Sequence, residues 1–195
     1  HGWSRTWQSF AVAEAGCILV GALFATPFLC PRERARPGAD AATAATAAEP
    51  VTASEVARDP VFQGVALCFT LYFMGAFVPF DFGPTLAADC GVSAASLSLC
   101  LSTGSLVGRP LLGAGADKFG AAPVTAFAMV VGGLSLGFMP VVAKITSASM
   151  QFPLLAMCFV YGSTHGGRGG LMPSLITRLF SVESMPVVYG LVCVC

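Results

Sequence analysis

An all-α bundle of membrane-spanning helices is the fold class this sequence predicts, and three observations predict it. Of 195 residues, 55% are hydrophobic and only 10% are charged, against roughly 25% charged in an ordinary soluble domain; so few charges cannot cover a water-facing surface. The apolar residues gather into long blocks. Most of the cations lie between those blocks, on alternate connections.

The blocks run Phe10 to Leu29, Val61 to Ala88, Ser93 to Ala116, Ala121 to Ala143 and Gln151 to Leu175. Each reaches or exceeds the roughly 20 residues that cross a bilayer as helix, which gives five spans. A sixth begins at Met185 and stops at Cys195, about 16 Å of helix at about 1.5 Å per residue, too short to cross. With His1 rather than Met at the start, the expectation is a fragment of a larger protein. Phe10 to Leu29 is too long for a secretory signal and carries no cleavage site.

The formal net charge is zero, but its distribution is uneven. With Phe10 to Leu29 as the first span, one side of the membrane receives Arg32, Arg34, Arg36, Arg58, Lys118 and Arg178, and the other only Arg5 and Lys144. Cations are retained on the cytoplasmic side, so the three basic connections are expected there. Trp3 and Trp7 then lie at the far interface.

Between the first two blocks, Arg34 to Ala57 is rich in Ala, Thr, Pro and Glu without hydrophobic periodicity, and reads as a disordered cytoplasmic linker. Thr52-Ala-Ser-Glu55 has capping-box spacing, so a helix is expected from near Ser54 into the second block. Pro79, Gly83 and Pro84 are expected to break its outer half, which in a membrane requires neighbouring helices or water to satisfy the freed backbone groups. Gly104/Gly108, Gly133/Gly137 and Gly162/Gly166/Gly170 have the spacing of close helix contacts.

Polar groups within the blocks mark candidate sites. At 100° per residue, Ser98, Ser102, Ser105 and Arg109 fall within about 60° of one another, a polar stripe ending in a fixed positive charge. Charge at membrane depth costs about 2.5 kcal/mol or more and faces a pathway or a partner; the alternative is that Arg109 reaches to the cytoplasmic interface. Glu14 lies a turn or so from the Trp7 interface and reads as solvated or capping. Asp81 sits in the broken segment, where it either carries a proton, pairs with an arginine or lies at the outer mouth.

The stretch Tyr161 to Pro173, YGSTHGGRGGLMP, comes close to a phosphate-binding loop. It has Arg168 where such a loop needs Lys and Gly169 where it needs Ser or Thr, and it lies inside an apolar block instead of after a strand. As helix it separates into two faces: Gly162, Gly166, Gly169 and Gly170 on one, suited to packing, and Tyr161, His165, Arg168 and Met172 on another. His165 and Arg168 either face a cavity and help select an anion, or Arg168 pairs with an acid such as Asp81.

No catalytic or metal-binding set is expected. Seven of the eight cysteines (Cys17, Cys68, Cys90, Cys100, Cys158, Cys193, Cys195) lie in or beside apolar blocks, where Cys behaves as a small hydrophobe. No G-x-S-x-G elbow or H-E-x-x-H pair occurs, so an enzyme is not the reading, and no cofactor or nucleic-acid partner is implied.

Gly108-Arg109-Pro-Leu-Leu-Gly113-Ala-Gly-Ala116-Asp117-Lys118-Phe-Gly120 resembles the G-R-x-x-x-G-x-x-A-D-[RK]-x-G signature of major facilitator superfamily transporters at seven positions. His1-Gly-Trp3-Ser-Arg5 is similar to the G-W-R before that family's sixth helix, Phe77-Val-Pro79-Phe80 to the seventh helix of monocarboxylate transporters, and Tyr189-Gly190-Leu191 to the start of the eleventh. The resemblance is to the monocarboxylate porter branch, including oxalate:formate antiporter-like members. It implies that residues 1–30 end the N-terminal half, 31–60 form the cytoplasmic linker and 61–195 form a partial C-terminal bundle. It also implies a small organic anion as substrate, held at its carboxylate by Arg109, with Ser102 and Ser105 lining the route and His165 and Arg168 as second contacts. Asp117, Lys118, Gly113 and Gly120 become gating or structural positions, Asp117 against the start of the eleventh helix at Ser184 to Pro186. Two departures matter: Ser105 stands where many proton-coupled members have Asp, and Ala121-Ala122 replace a basic pair. Proton coupling, exchange and facilitated passage therefore all stay open. The expected setting is the plasma membrane, with a further N-terminal half as intramolecular partner. The competing reading is a non-transporting regulatory or truncated half-transporter.

Overall fold

The computed structural model describes residues 12, 13, 16, 53–146, 151–180 and 185–194. The first predicted span lies outside these apart from three helical residues, as do Glu14, the tryptophans and most of the linker. The described chain forms α1 (Ala53–Arg58), α2 (Pro60–Ala76), α3 (Val78–Asp89), α4 (Ala94–Phe119), α5 (Ala121–Ile145), α6 (Phe152–Phe180) and α7 (Met185–Val194). No strand occurs among the described residues, as the sequence predicts.

The helix expected to run unbroken from near Ser54 is in fact interrupted at Asp59. Its carboxylate Oδ1 accepts the Val61 N–H at 2.8 Å, and Pro60 occupies the first turn of α2, where a missing N–H costs nothing. This local cap outcompetes continuation from α1. A second interruption falls at Phe77, earlier than the prolines suggest. Pro79 opens α3, while Gly83 and Pro84 lie inside that helix. The N–H groups of Phe80 and Asp81 both turn to the Phe77 carbonyl at 2.9 Å, so the Ala76 carbonyl loses its helical donor. The Tyr161 hydroxyl on α6 takes its place at 2.8 Å, the kind of substitution that a broken membrane helix requires.

Two stretches among the described residues, Pro60–Asp89 and Ala121–Ile145, combine the length and the apolarity of a span. Helices α4 and α6, with 26 and 29 residues, are longer than needed, about 39 and 44 Å. They are less apolar because serines, glycines and an arginine interrupt them. Block length alone does not separate these two classes of helix.

Those two less apolar helices form the closest pair. Side chains added at Gly104 and Gly108 on α4 would strike the backbone of Phe159 and Ser163; at Gly162 and Gly166 on α6 they would strike Leu101 and Ser105. Leu101 therefore sits beside Gly162 and Ser105 beside Gly166, so the helices run parallel, with α5 returning the chain between them. One expectation fails here: Gly169 and Gly170 are exposed and meet nothing, and Gly167 is the third packing glycine, against Leu112 and Gly108. The interface sits on the Gly162–Gly166–Gly167 side, rotated away from Gly169 and Gly170.

Helix α2 runs antiparallel to α6, with Phe62 beside Phe180, Tyr72 beside His165 and Ala76 beside Tyr161. Cys90, after α3, donates through Sγ to the Ala143 carbonyl near the end of α5. Arg58, Lys118 and Arg178 consequently gather at one end of the bundle, with Asp89 and Lys144 at the other. Gly120, between α4 and α5, has φ of 96°, a conformation that favours glycine.

Candidate functional site

The signature residues divide by task. Gly108 lets α6 approach, Ala116 is buried and Gly120 makes the turn. Arg109, Asp117 and Lys118 are exposed, Lys118 with its Nζ 5.3 Å from the Phe119 ring centre. Gly113 is half-buried with open space around it. The expected seat for Asp117 at Ser184 to Pro186 lies mostly outside the described residues.

The serine stripe on α4 is only partly continuous. Ser98, Ser102 and Arg109 are exposed on one flank of the helix, whereas Ser105 is half-buried with its hydroxyl turned to Gly166. Ser105 meets Gly166, the residue after His165, so Arg109 stands about one turn beyond the level of His165. Asp81 is exposed in the first turn of α3 and does not pair with Arg168, contrary to one of the two expectations for that arginine, because Arg168 points inward, into the contact of α2, α5 and α6.

His165 occupies an aromatic setting. Its ring centre lies 5.0 to 6.2 Å from those of Phe80, Phe77, Tyr72 and Tyr161. Tyr72 Oη and His165 Nδ1 are 2.5 Å apart, a hydrogen bond whose direction follows the imidazole tautomer. Unlike its neighbour Arg168, His165 keeps part of its surface accessible.

Arg168 is wholly buried, at 0% exposure. Its Nε donates to the Thr164 carbonyl one turn back at 3.0 Å, and its guanidinium carbon lies 3.8 Å from the centre of the Tyr72 ring, a cation–π contact. A Cβ at Gly132 on α5 would come within 2.9 Å of both Arg168 Nη2 and Thr164 Oγ1, so a larger residue there would require the guanidinium or the hydroxyl to shift. The Thr164 hydroxyl is spent on the Tyr161 carbonyl at 2.8 Å. Among the described residues, Arg168 Nη1 and Nη2 have no hydrogen-bond partner.

Sequence reasoning finds His165 and Arg168 but misses the residues that frame them: Tyr72, Thr164 and Gly132. Tyr72 carries the one usable signal, a hydroxyl in the middle of an apolar block, which must find a partner when buried. No cluster of His, Cys, Asp or Glu among the described residues has the grouping of a metal site. Neither the curated proteins nor the solved structures contain a match to the chain. The family model of the Major Facilitator Superfamily matches residues 1–195, from the first residue of the sequence to the last. With that match, and with two described stretches long and apolar enough to cross a bilayer, the chain belongs to the major facilitator superfamily of integral membrane transport proteins.

Proposed function

We propose that the chain serves secondary or facilitated transport of a small organic anion, a monocarboxylate, by alternating access. The observation that carries this reading is Arg109: a guanidinium exposed on the flank of α4, in line with Ser102 and about one turn from the level of His165 on α6. A planar guanidinium engages both oxygens of a carboxylate, and the absence of a side chain at Gly169 and Gly170 leaves the neighbouring stretch of α6 open. Ser102 and Ser105 supply hydroxyls along the approach, with His165 and Arg168 as inner contacts. Asp117 and Lys118 belong to the gate at the basic end of the bundle. Asp81, in the first turn of α3 just beyond the Phe77 break, is the acid this reading assigns to an ion or proton. The plasma membrane is the proposed setting, and the helices of an N-terminal half would close the route from the other side.

The test is uptake of labelled monocarboxylates by cells expressing the full-length protein, with and without a pH gradient. Arg109→Ala is expected to reduce uptake to background while surface expression is retained. Undiminished uptake by that variant would remove Arg109 from the site, and no uptake by the unaltered protein would favour a non-transporting role.

A further inference from the structure

A positive charge sealed in a helix bundle needs a counter-charge. Removing a guanidinium from water is expensive unless it is paired, and each unsatisfied donor adds to that cost. Most of the surroundings of Arg168 are accounted for. Nε is bonded to the Thr164 carbonyl, one face lies on the Tyr72 ring, and Nη2 is held against α5 at Gly132. Among the described residues, the groups that act on it electrostatically are Tyr72, Tyr161 and Cys68, with no Asp or Glu among them. What remains is the outer edge of the guanidinium, with Nη1 and Nη2 side by side and both unpartnered.

That edge presents two parallel N–H donors, the geometry that receives a carboxylate end-on or a halide between them. Tyr72 cannot supply the acceptor, since its ring lies over the guanidinium face and its hydroxyl is engaged with His165. Nor does Thr164 supply it: its hydroxyl donates to the Tyr161 carbonyl and makes no bond to Nη1 or Nη2. We infer that the Nη1–Nη2 edge of Arg168, closed over by its neighbours in this conformation, becomes a binding site for one compact monovalent anion when α2, α5 and α6 part there, a site separate from the exposed guanidinium of Arg109.

The same chemistry has two sources: a free halide, or the carboxylate of the transported molecule passed inward from Arg109. The second rests on the transport reading; the first does not.

Thermal unfolding of the purified full-length protein in detergent separates these. Measurements are made at equal ionic strength in sodium chloride, sodium formate and sodium gluconate, whose long polyol chain is too bulky for a closed site. Because a ligand that binds only the folded state raises the midpoint, chloride or formate is expected to raise it by about 2 °C or more over gluconate. Arg168→Gln is expected to lose the rise, and Arg178→Gln, at the exposed end of α6, to keep it. A rise in chloride identifies the free ion, and a rise in formate alone identifies the transported carboxylate. No rise in either salt, or an equal rise in Arg168→Gln, overturns the site whatever the uptake result for Arg109→Ala. Should Arg168→Gln fail to fold, Arg168→Lys retains the charge without the paired edge. Its apparent anion affinity is expected to fall roughly tenfold, and an unchanged affinity overturns the site equally.

Discussion

A single hydroxyl explains how a broken helix survives in the apolar interior. The bend at Phe77 strips the Ala76 carbonyl of its helical donor, and Tyr161 replaces that donor from another helix at 2.8 Å. Leaving such a carbonyl unsatisfied costs about 1 to 3 kcal/mol. Tyr161→Phe, which keeps the ring, is therefore expected to destabilise the folded protein by about that amount. The expected readout is a lower thermal midpoint in detergent and a greater susceptibility to protease near residue 77. The sequence marks Pro79 as a breaker but cannot place the kink, because the position depends on where a donor from α6 arrives. Arg168 is legible in the same limited way. A charge inside an apolar block announces itself, but the Tyr72 ring that covers it comes from a distant part of the chain, with no local signal joining them.

At the scale of elements, α4 and α6 show why glycine spacing needs a structure to interpret it. Both glycines of the Gly104/Gly108 pair meet α6, as their spacing predicts, but the run on α6 is divided: Gly162 and Gly166 pack and Gly170 does not. A four-residue interval places residues on a similar face; it does not say where along the helix that face stops being covered. The two kinds of glycine are expected to respond oppositely to alanine. Gly166→Ala would drive a methyl into the Ser105 backbone and cost roughly 1 to 3 kcal/mol by overpacking. Gly170→Ala meets open space and gains up to about 1 kcal/mol of helix propensity. Thermal midpoints of the two variants, measured side by side, check the sign. The helical class and the principal block boundaries are readable because membrane helices need long apolar runs. The small break at Asp59 is not, because a cap and a proline compete with continuation through a few local hydrogen bonds.

For the whole molecule, contacts between distant residues bring Arg58, Lys118 and Arg178 to one end, three of the six cations that the order of the blocks assigns to one side of the membrane. By the positive-inside tendency that end is expected in the cytoplasm. An epitope inserted after Phe119 is expected to be detected only in permeabilised cells, and one inserted among residues 147–150 in intact cells; the opposite pattern would invert the orientation. The organisation also has a mechanical consequence. A contact made backbone against backbone has no flexible side chains to absorb displacement, so the parallel pair α4 and α6 behaves as one stiff beam. The Phe77 interruption is a joint in the helix beside it, tied to that beam by the Tyr161 hydroxyl. A rotation at that joint changes the tilt of α3, which carries Asp81, while its far end stays held by the short link to α4 and by Cys90 on the Ala143 carbonyl.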